Sequence, residues 1–479
     1  MKKEKKLSPT ELPLAFEIDP EPVKEIWTAR AGITLLVEAS RRLGIPDSVK
    51  RHVKVRQRDR GLDEATMVES FILLNAAGGE CLDDFRVLRE DAGLSELIGH
   101  QFPSPASSRK FLYQFHDEEK IEQARQELLP GHTAYIPGEN EALSGLGGVN
   151  RELVQTVGRR CANQKVATVD QDATITESRK REAQPTYEGC RGYQPMLAVW
   201  AEMNLIVADE FRDGNVPALM KPLTVAKCAF ATLPETVKEY YYRGDSACHE
   251  TELIRWLKND KRAEGPQGFI GFGISARMSD ALRKAITTSV DEKSWERLEE
   301  SDPTVIRECS DVAFVSNNEV ENKESKPLRY VAIRMRKRQG EMFGDGSSVK
   351  HFAIVTNIWE WSPTKLINWH REKAGTIEAI HNVIKNELAG GVMPCGRFGA
   401  NAAWLRLAVI SHNLMTAMKR LALPPELLSA RPKRLRFLIF NVAGQVIHHA
   451  RNISVRLAST KERIAKYWVE GRQALLATT

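Results

Sequence analysis

The spacing of apolar residues separates a helical first part of the chain from a mixed remainder. From about Ile26 to Leu129, apolar positions recur every three or four residues, as they do between Met67 and Leu74, which is the period of an amphipathic helix. After a stretch containing several glycines and prolines, residues 130–148, short β-prone runs separated by turn signals take over. The pattern predicts strands over residues 166–169, 195–200, 205–208 and 237–242.

The second half of the pattern predicts a helix, a β-rich block and then two long helices. The helix spans Ala247 to Leu257, and the β-rich block runs from about Phe269 to Val355. Longer helices follow over residues 365–388 and 401–421, before a tail of helix and turn.

These elements predict a chain of several units, because 479 residues exceed what one ordinary hydrophobic core holds. The fold class expected is α/β. The units are a flexible arm, a helical N-terminal domain, a catalytic α/β domain in two pieces, a β-rich insertion and a C-terminal helical segment. In that order they span residues 1–22, 23–160, 161–262 with 350–425, 263–349, and 426–479.

Composition places the chain among ordinary globular proteins with locally basic surfaces. Hydrophobic residues make up 42% and charged residues 28%, and 69 Lys and Arg against 63 Asp and Glu give a net charge of +6. Basic runs such as Arg334–Arg338 and Arg431–Arg436 suit phosphate contacts, although a solvated surface is the better explanation for each run taken singly. Seven scattered cysteines show no zinc-ligand spacing, and no apolar run approaches a membrane span, so a cytoplasmic protein is expected.

Three separated acidic segments carry the strongest chemical signal. Asp170 and Asp172 lie at the end of one predicted strand, Asp245 at the end of another, and Glu378 on a later helix. Three converging carboxylates are what hard divalent cations such as Mg²⁺ require, and two such ions support phosphoryl transfer on nucleic acid. Asp170 and Asp172 alternate along the strand and point to the same face, so either can serve as the first ligand.

The helix of Glu378 also presents cations on the same face. At about 100° per residue, Arg371, His381 and Lys385 fall within about 60° of the direction of Glu378, where the two cations can hold phosphates. An exposed helix with routine charge pairing is the alternative. In the N-terminal part, the Ser-rich helix start before Arg109 and Lys110 suits either a DNA-reading helix or an ordinary capped helix.

From about Ser104 to Leu421 the chain resembles the DDE transposases of bacterial insertion sequences. Three ordered segments carry the resemblance: Asp170–Thr174 with the later Tyr187–Pro195, then Arg243–Ser246, and finally Glu378 with His381 and Lys385. The resemblance implies an RNase H-like catalytic domain with a β-rich insertion. It also implies Asp172, Asp245 and Glu378 as the metal-binding and catalytic triad, Asp172 being preferred because an Asp-x-Thr step follows the first strand in this group.

The resemblance further implies residues that bind DNA. Lys385 matches the lysine of the group's Tyr-Arg-Glu-Lys signature, which contacts phosphate at the transposon end. Where that signature has Tyr and Arg, this chain has Arg371 and Ala374, and Trp369 and Lys373 are the neighbours that can substitute.

The spacing of the acids leaves room for the insertion that the resemblance implies. Asp172 and Asp245 are 73 residues apart, and Asp245 and Glu378 are 133 apart. In hairpin-forming members of the group, a tryptophan in the insertion stacks on a base flipped from the DNA end, and Trp295 is the candidate here, with a core tryptophan as the alternative.

The expected function is therefore that of a cut-and-paste transposase in a bacterial cell, associated with the nucleoid when bound to DNA. It would bind terminal inverted repeats and target DNA as double strands, use two Mg²⁺ or Mn²⁺ ions, and act as a homodimer in a synaptic complex. A metal-dependent nuclease or resolvase without strand transfer, and an inactive DNA-binding descendant of a transposase, are the alternatives.

Overall fold

The structure, a computed structural model, describes most of the chain. The described residues are 18–21, 23–56, 61–299, 302, 304–316, 327–337, 342–450, 452–458 and 462–477. Most of the predicted flexible arm, and Arg338 in the basic run that begins at Arg334, lie outside these residues.

Short helices make up most of the first 160 residues. Several begin at a side-chain cap; the carboxylate of Asp63, for example, accepts the backbone N–H of Thr66 at 2.8 Å. The helices are α1 (Thr34–Arg42), α2 (Ile45–His52), α3 (Glu64–Ala77), α4 (Phe85–Glu90), α5 (Ala92–Ile98), α6 (Pro105–Tyr113), α7 (Glu118–Gln126) and α8 (Glu141–Arg160). A short strand, β1 (Ile26–Thr28), precedes them.

A mixed sheet forms the centre of the molecule. Its strands are β2 (Val166–Ala173), β6 (Met196–Trp200), β7 (Leu205–Glu210), β8 (Glu239–Gly244), β9 (Ile270–Ser275), β10 (Glu296–Arg297), β11 (Val305–Val312), β12 (Arg329–Lys337) and β13 (Val349–Thr356). Among the described residues their order is β10-β11-β12-β13-β9-β8-β2-β6-β7. Strands β2, β8 and β9 are parallel to one another, and the remaining neighbours are antiparallel.

The strands predicted within the β-rich insertion continue this sheet and do not form a sheet of their own. Strand β9 pairs in parallel with β8, and β13 pairs with the other edge of β9. The hydrophobic pattern predicts each strand but carries no information on which strands pair, so this continuity is a finding of the structure.

The remaining helices cover the sheet and complete the core. They are α9 (Pro222–Thr232), α10 (Thr251–Lys258), α11 (Asp280–Ser289), α12 (Pro363–Arg371), α13 (Lys373–Glu387), α14 (Phe398–Ala422), α15 (Pro432–Leu435) and α16 (Glu462–Ala477). In α14 every residue from Gly399 to Lys419 is buried, as expected for a helix that is surrounded by other elements. It packs against α3, α8, α16 and β7, so the N-terminal helices and the sheet share one hydrophobic core.

Two small sheets complete the fold. Strands β3 (Thr176–Glu177), β4 (Gln184–Pro185) and β5 (Arg191–Tyr193) form a sheet in the order β3-β5-β4. The C-terminal segment, predicted as helix and turn, also contains the hairpin β14 (Gly444–His449) and β15 (Asn452–Leu457), with β1 paired to β14. None of the described helices is both long and apolar enough to cross a membrane.

Two predicted helices are interrupted in the structure. The helix expected over residues 365–388 is divided into α12 and α13 at Glu372, because the carbonyl of Trp369 accepts a hydrogen bond from the buried Arg243 guanidinium. The helix expected from Ala247 is a 3-10 turn over Ser246–Cys248, followed by α10.

Candidate active site

Two carboxylates meet at one edge of the central sheet. Asp172 lies at the carboxyl end of β2, and Asp245 directly follows β8. Because the two strands are parallel and pair Gln171 with Gly244, the residues that follow this pair, Asp172 and Asp245, emerge side by side. Asp245 also caps the 3-10 turn, accepting the backbone N–H of Ala247 at 3.0 Å. Burial and the negative charge of Asp172 raise the pKa of Asp245 above its usual value.

Asp170 has a structural partner that Asp172 lacks. Its fully buried carboxylate accepts two hydrogen bonds from the Arg243 guanidinium, at 2.5 and 2.9 Å, and a third from the hydroxyl of Thr376. Such a bidentate pair occupies both oxygens. Both aspartates face α13, as their alternation predicts, but only Asp172 stands at the open end of the strand.

A buried lysine neutralises the acid pair. Lys373, the first residue of α13, places its Nζ 2.7 Å from the Oδ2 of Asp172. Burial alone would lower the pKa of Lys373, but the carboxylates of Asp172 and Asp245 outweigh it and raise that pKa above its usual value. The ammonium therefore provides the positive charge that two adjacent carboxylates need.

In the described structure Glu378 does not lie beside Asp172 and Asp245. It is exposed on α13, because the face of that helix turned toward the sheet is filled by Ile377, Ile380 and Ile384. Glu378 lines a surface pocket together with Lys373 and Arg371. Within the part of the chain that the structure describes, no three His, Cys, Asp or Glu side chains form a cluster able to hold a metal.

A buried histidine beside the acids is left without a partner. Both ring nitrogens of His381 are buried and make no hydrogen bond within the described structure. Burial lowers the pKa of His381 to about 4, although the charge of Asp172 acts in the opposite direction, so the ring is neutral at pH 7.

Two hard carboxylate donors and an unsatisfied imidazole beside them suit a bound ion or water, so the residues present fit a divalent cation at Asp172 and Asp245. Two carboxylates of the predicted triad, those of Asp172 and Asp245, lie together at this site. The role of Glu378 as the third ligand remains a prediction.

Two of the predicted phosphate-binding residues, Lys385 and Arg371, lie on different sides of the acid pair. The Nζ of Lys385 donates to the hydroxyl of Thr174 at 3.2 Å and to the carbonyl of Ile175 at 2.8 Å, just beyond the strand of Asp172. Arg371 lies on the other side of Lys373 and lines two surface pockets.

The two predicted tryptophans are partly buried and packed. Trp369 belongs to an aromatic cluster, with its ring 5.3 Å from Trp361 and 5.9 Å from Tyr241. Trp295 packs against the core and is covered by the guanidinium of Arg334, 4.3 Å from the ring centre. Trp295 is therefore neither a fully buried core residue nor an uncovered ring, and its base-stacking role remains a prediction.

Arg109 and Lys110 are exposed on α6, which begins where the Ser104 hydroxyl accepts the N–H of Ser107 at 3.1 Å. They stand on the surface as a DNA-contacting helix requires, and their role remains a prediction.

A cationic groove beside Asp245 escaped the sequence analysis. It is lined by Arg277, Arg283 and Arg371, and by Phe352, which is 45% exposed. Among the described residues no carboxylate lies within salt-bridge distance of Arg277 or Arg283; Arg277 donates instead to the carbonyl of Ser246 at 3.2 Å. Arg277 follows β9, Arg283 lies on α11, Phe352 on β13 and Arg371 at the end of α12. Of these only Arg371 was predicted from the sequence, since no local sequence motif links the others to the acids.

Comparison with known proteins gives a match to a family model and similarity to several solved structures. A family model described as "Transposase DDE domain group 1" matches residues 25–467. A cryo-EM structure of a piggyBac transposase synaptic complex with hairpin DNA is similar with a TM-score of 0.42 and 10% sequence identity, covering 84% of this chain and 76% of that one. No curated protein sequence matches the chain.

Proposed function

Because the chain belongs to the DDE transposases of domain group 1, we propose that it binds the terminal inverted repeats of a mobile element, cleaves DNA there and joins the ends to target DNA. The observation that carries this proposal is the pair of carboxylates, Asp172 and Asp245, at the carboxyl ends of parallel strands. Family membership confirms the resemblance to DDE transposases that the acidic segments carry.

We interpret the strand order β7-β6-β2-β8-β9 as an RNase H-like core, since three antiparallel strands are followed by two parallel ones. In this interpretation residues 23–160 are the DNA-binding part. Strand β9 lies within the insertion predicted over residues 263–349 but joins the core here, and strands β10–β12 stay in the insertion. The division of the chain into these domains is part of the proposal.

Asp172, Asp245 and Glu378 would hold a divalent metal, Mg²⁺ or Mn²⁺, and in our proposal two ions. When bound, such ions activate the attacking hydroxyl and stabilise the leaving oxygen in an in-line displacement. The chain's own residues position the DNA: Lys385 and Arg371 hold phosphates on either side of the acid pair.

Lys373 has two partners in this proposal. Without DNA its ammonium pairs with Asp172, and with DNA it is the cation nearest to the phosphate at the acid pair. His370, whose pKa is lowered by burial to about 4, is neutral at pH 7. It lines both surface pockets, and its Nε2 donates a hydrogen bond to the carbonyl of Gly244 at 3.1 Å.

The experiment that tests the function is cleavage of a duplex carrying the element's own inverted repeats, with Mg²⁺ and with EDTA. Asp245→Asn should abolish nicking while leaving binding of the repeats within about 3-fold, since carboxylate loss removes chemistry and not the basic surface. Glu470→Gln, at an exposed acid on α16 outside the proposed DNA-binding part, is the control and should cleave normally.

The products of the same reaction separate the alternatives. Nicking without any joined product would identify a nuclease or resolvase. Binding without nicking would identify an inactive descendant of a transposase. The exposed position of Glu378 on α13, apart from the two aspartates, is the observation that favours this alternative. We propose a homodimer when two ends are paired, which light scattering of the protein on end-bearing DNA measures directly.

A further inference from the structure

The cationic groove beside Asp245 has an apolar wall as well as arginines. The groove is a cavity of about 630 Å³, and its lining includes Ile333 and Phe352, which pair directly across strands β12 and β13. Side chains directly opposite each other in paired strands point to the same face, so these two form one apolar surface. Asp245 lines the same cavity, so this surface and a carboxylate of the acid pair border one space.

Hydrogen bonds tie the end of β9 both to the acid and to the apolar wall. The backbone N–H of Ala276 donates to the carbonyl of the residue that follows Phe352, at 2.8 Å. The side chain of the next residue, Arg277, donates to the carbonyl of Ser246 at 3.2 Å. Because Ser246 directly follows Asp245, these two contacts fix the strand of Phe352 relative to the turn that carries the carboxylate.

The ring of Phe352 is uncovered because β9 ends before reaching it. Strand β9 pairs with β13 over Ile354–Thr356, and Phe352 lies beyond the last paired residue. Phe352 is 45% exposed, whereas Ile354 on the same face of the strand is 2% exposed. Apolar area gains free energy when it is removed from water, so the ring favours a partner that enters the groove.

Trp295, which the sequence suggested as the residue that stacks on a base, is not among the described residues that line this groove. Its ring is covered by Arg334, which follows Ile333 in β12. Successive residues of a strand point to opposite faces, so Arg334 and Ile333 lie on opposite faces of β12. The aromatic hydrocarbon ring in the cavity that Asp245 lines is therefore that of Phe352.

The other lining residues suit the backbone of a nucleic acid strand. Arg277, Arg283 and Arg371 are the cations of the groove. An aromatic ring flanked by cations is the arrangement that holds unpaired nucleic acid, because bases stack on the ring and the cations follow the phosphates. In a duplex the faces of each base are covered by its neighbours, so Phe352 can pack on a base only after that base has left the stack. The cavity falls within the range of about 300–1,000 Å³ for sites that enclose one small molecule, which suits a nucleotide and not a double helix.

We propose that this groove binds an unpaired nucleotide of the DNA substrate, next to the phosphate at the acid pair, with its base packed on the ring of Phe352. Arg277 and Arg283 hold the phosphates that follow. This inference rests on the proposed function, and it makes local opening of the duplex a part of substrate binding. A substrate that is already unpaired at this position binds without the cost of opening.

The test compares two duplexes that carry the terminal repeats, one fully paired and one with two mismatched base pairs beside the cleaved phosphate. Wild type should bind the mismatched duplex about 10-fold to 100-fold more tightly, because base pairing no longer opposes binding. Phe352→Ala should lose about 10-fold or more in affinity for the mismatched duplex, the effect of losing one stacked base. Phe352→Trp keeps an aromatic face and should retain the preference. Phe269→Ala is the control, because Phe269 is 52% exposed and precedes β9, at the opposite end of that strand from the groove.

A photocrosslink gives a readout that a merely structural role would not move. The mismatched duplex carries 5-iodouracil at the unpaired position, and the protein carries Asp245→Asn so that binding is measured without cutting. Trypsin cleaves after Lys350 and Lys365, so a crosslink in the groove appears on the peptide His351–Lys365, where fragmentation should locate it at Phe352. A crosslink at Trp295 would appear instead on the separate peptide Ser294–Arg297.

Failure of the proposed groove and failure of the proposed function give different results. Equal affinity of wild type and Phe352→Ala for the mismatched duplex, an equal loss for Phe352→Trp, or a crosslink on Ser294–Arg297 would overturn the groove while leaving the transposase in place. A wild-type protein that binds neither duplex more tightly than unrelated DNA would overturn the proposed function, and this inference with it.

Discussion

At the scale of single residues, the site is a balance of charges that are partly removed from water. Asp172 is 18% exposed in its side chain and Lys373 is 9% exposed, so the ion pair between them is only weakly screened. Asp245 adds a second negative charge without a cation of its own, and its pKa is raised accordingly. Removing the ammonium therefore leaves two carboxylates facing each other.

Lys373→Met should lower the free energy of unfolding by about 2–4 kcal/mol at pH 7, because one partner of a largely buried pair is lost. Urea denaturation measures the change. The double variant Asp172→Asn with Lys373→Met should recover a substantial part, since it also removes one of the opposed charges. Equal stability of wild type and Lys373→Met in metal-free buffer would show that the ion pair does not form in solution.

Asp213 provides a pH-dependent prediction away from the acid pair. Burial, only partly offset by the charge of Arg125, raises the pKa of Asp213 from 3.8 to about 6. The folded state therefore holds a proton that the unfolded chain has lost, and stability falls as pH rises from about 4 through 6.

Asp213→Asn should remove this dependence, so the free energy of unfolding of the variant exceeds that of wild type by about 3 kcal/mol at pH 7 and does not differ at pH 3.5. Urea unfolding of both proteins across this pH range measures it. If the difference in the free energy of unfolding between the two proteins does not change with pH, a group other than Asp213 is responsible for the titration.

At the scale of elements, helix α14 connects the N-terminal helices to the sheet, and its buried Arg406 makes the main polar contact. The guanidinium lies 3.0 Å from the carboxylate of Asp209 on β7 and 2.7 Å from that of Glu139 before α8. The pattern of apolar residues predicted this helix to within three residues at its start and one at its end, because the helix is long and most of its residues are apolar.

The break between α12 and α13 could not be predicted in the same way. It depends on Arg243, which is 126 residues before Trp369 in the chain and contacts it only in the folded protein. The acid pair was predictable because each aspartate follows a strand that the local sequence pattern indicates. The pairing of Lys373 with Asp172 was not predictable, because the two residues are 201 positions apart and no local pattern links them.

Arg406→Leu should destabilise the protein by about 3–5 kcal/mol, because Asp209, whose side chain is 4% exposed, would remain buried without a cation. Thermal or urea unfolding at pH 7 measures the loss. Combining it with Asp209→Asn should restore part of the stability, and failure of the pair to couple would argue against the ion pair as the cause.

At the scale of the whole molecule, the net charge of +6 is modest, so DNA binding depends on where cations lie and not on their total. Arg277 and Arg283 could not be predicted from the sequence as neighbours of Asp245, because the segment after β9 and helix α11 bring them there only in the folded protein.

Replacing Arg277 and Arg283 by Gln should weaken binding of end-bearing DNA and flatten the plot of log K against log salt by about 2 units, roughly one for each lost phosphate contact. Fluorescence anisotropy at several salt concentrations measures the slope. Arg472→Gln, at an exposed arginine that is paired with Glu38 and lies outside the proposed DNA-binding part, is the control and should leave the slope unchanged. An unchanged slope in the double variant would exclude the groove from the DNA path.

The burial of α14 has a consequence for genes that encode shortened copies of this protein. Helices α3 and α8 and strand β7 all rest on a helix that begins only at Phe398, so the ribosome must translate four-fifths of the chain before these surfaces acquire their shared partner. A reading frame interrupted before that point yields a polypeptide with its apolar faces in water, which aggregates or is degraded. Decayed copies of the gene should therefore leave no folded fragment to compete with the intact protein for its DNA.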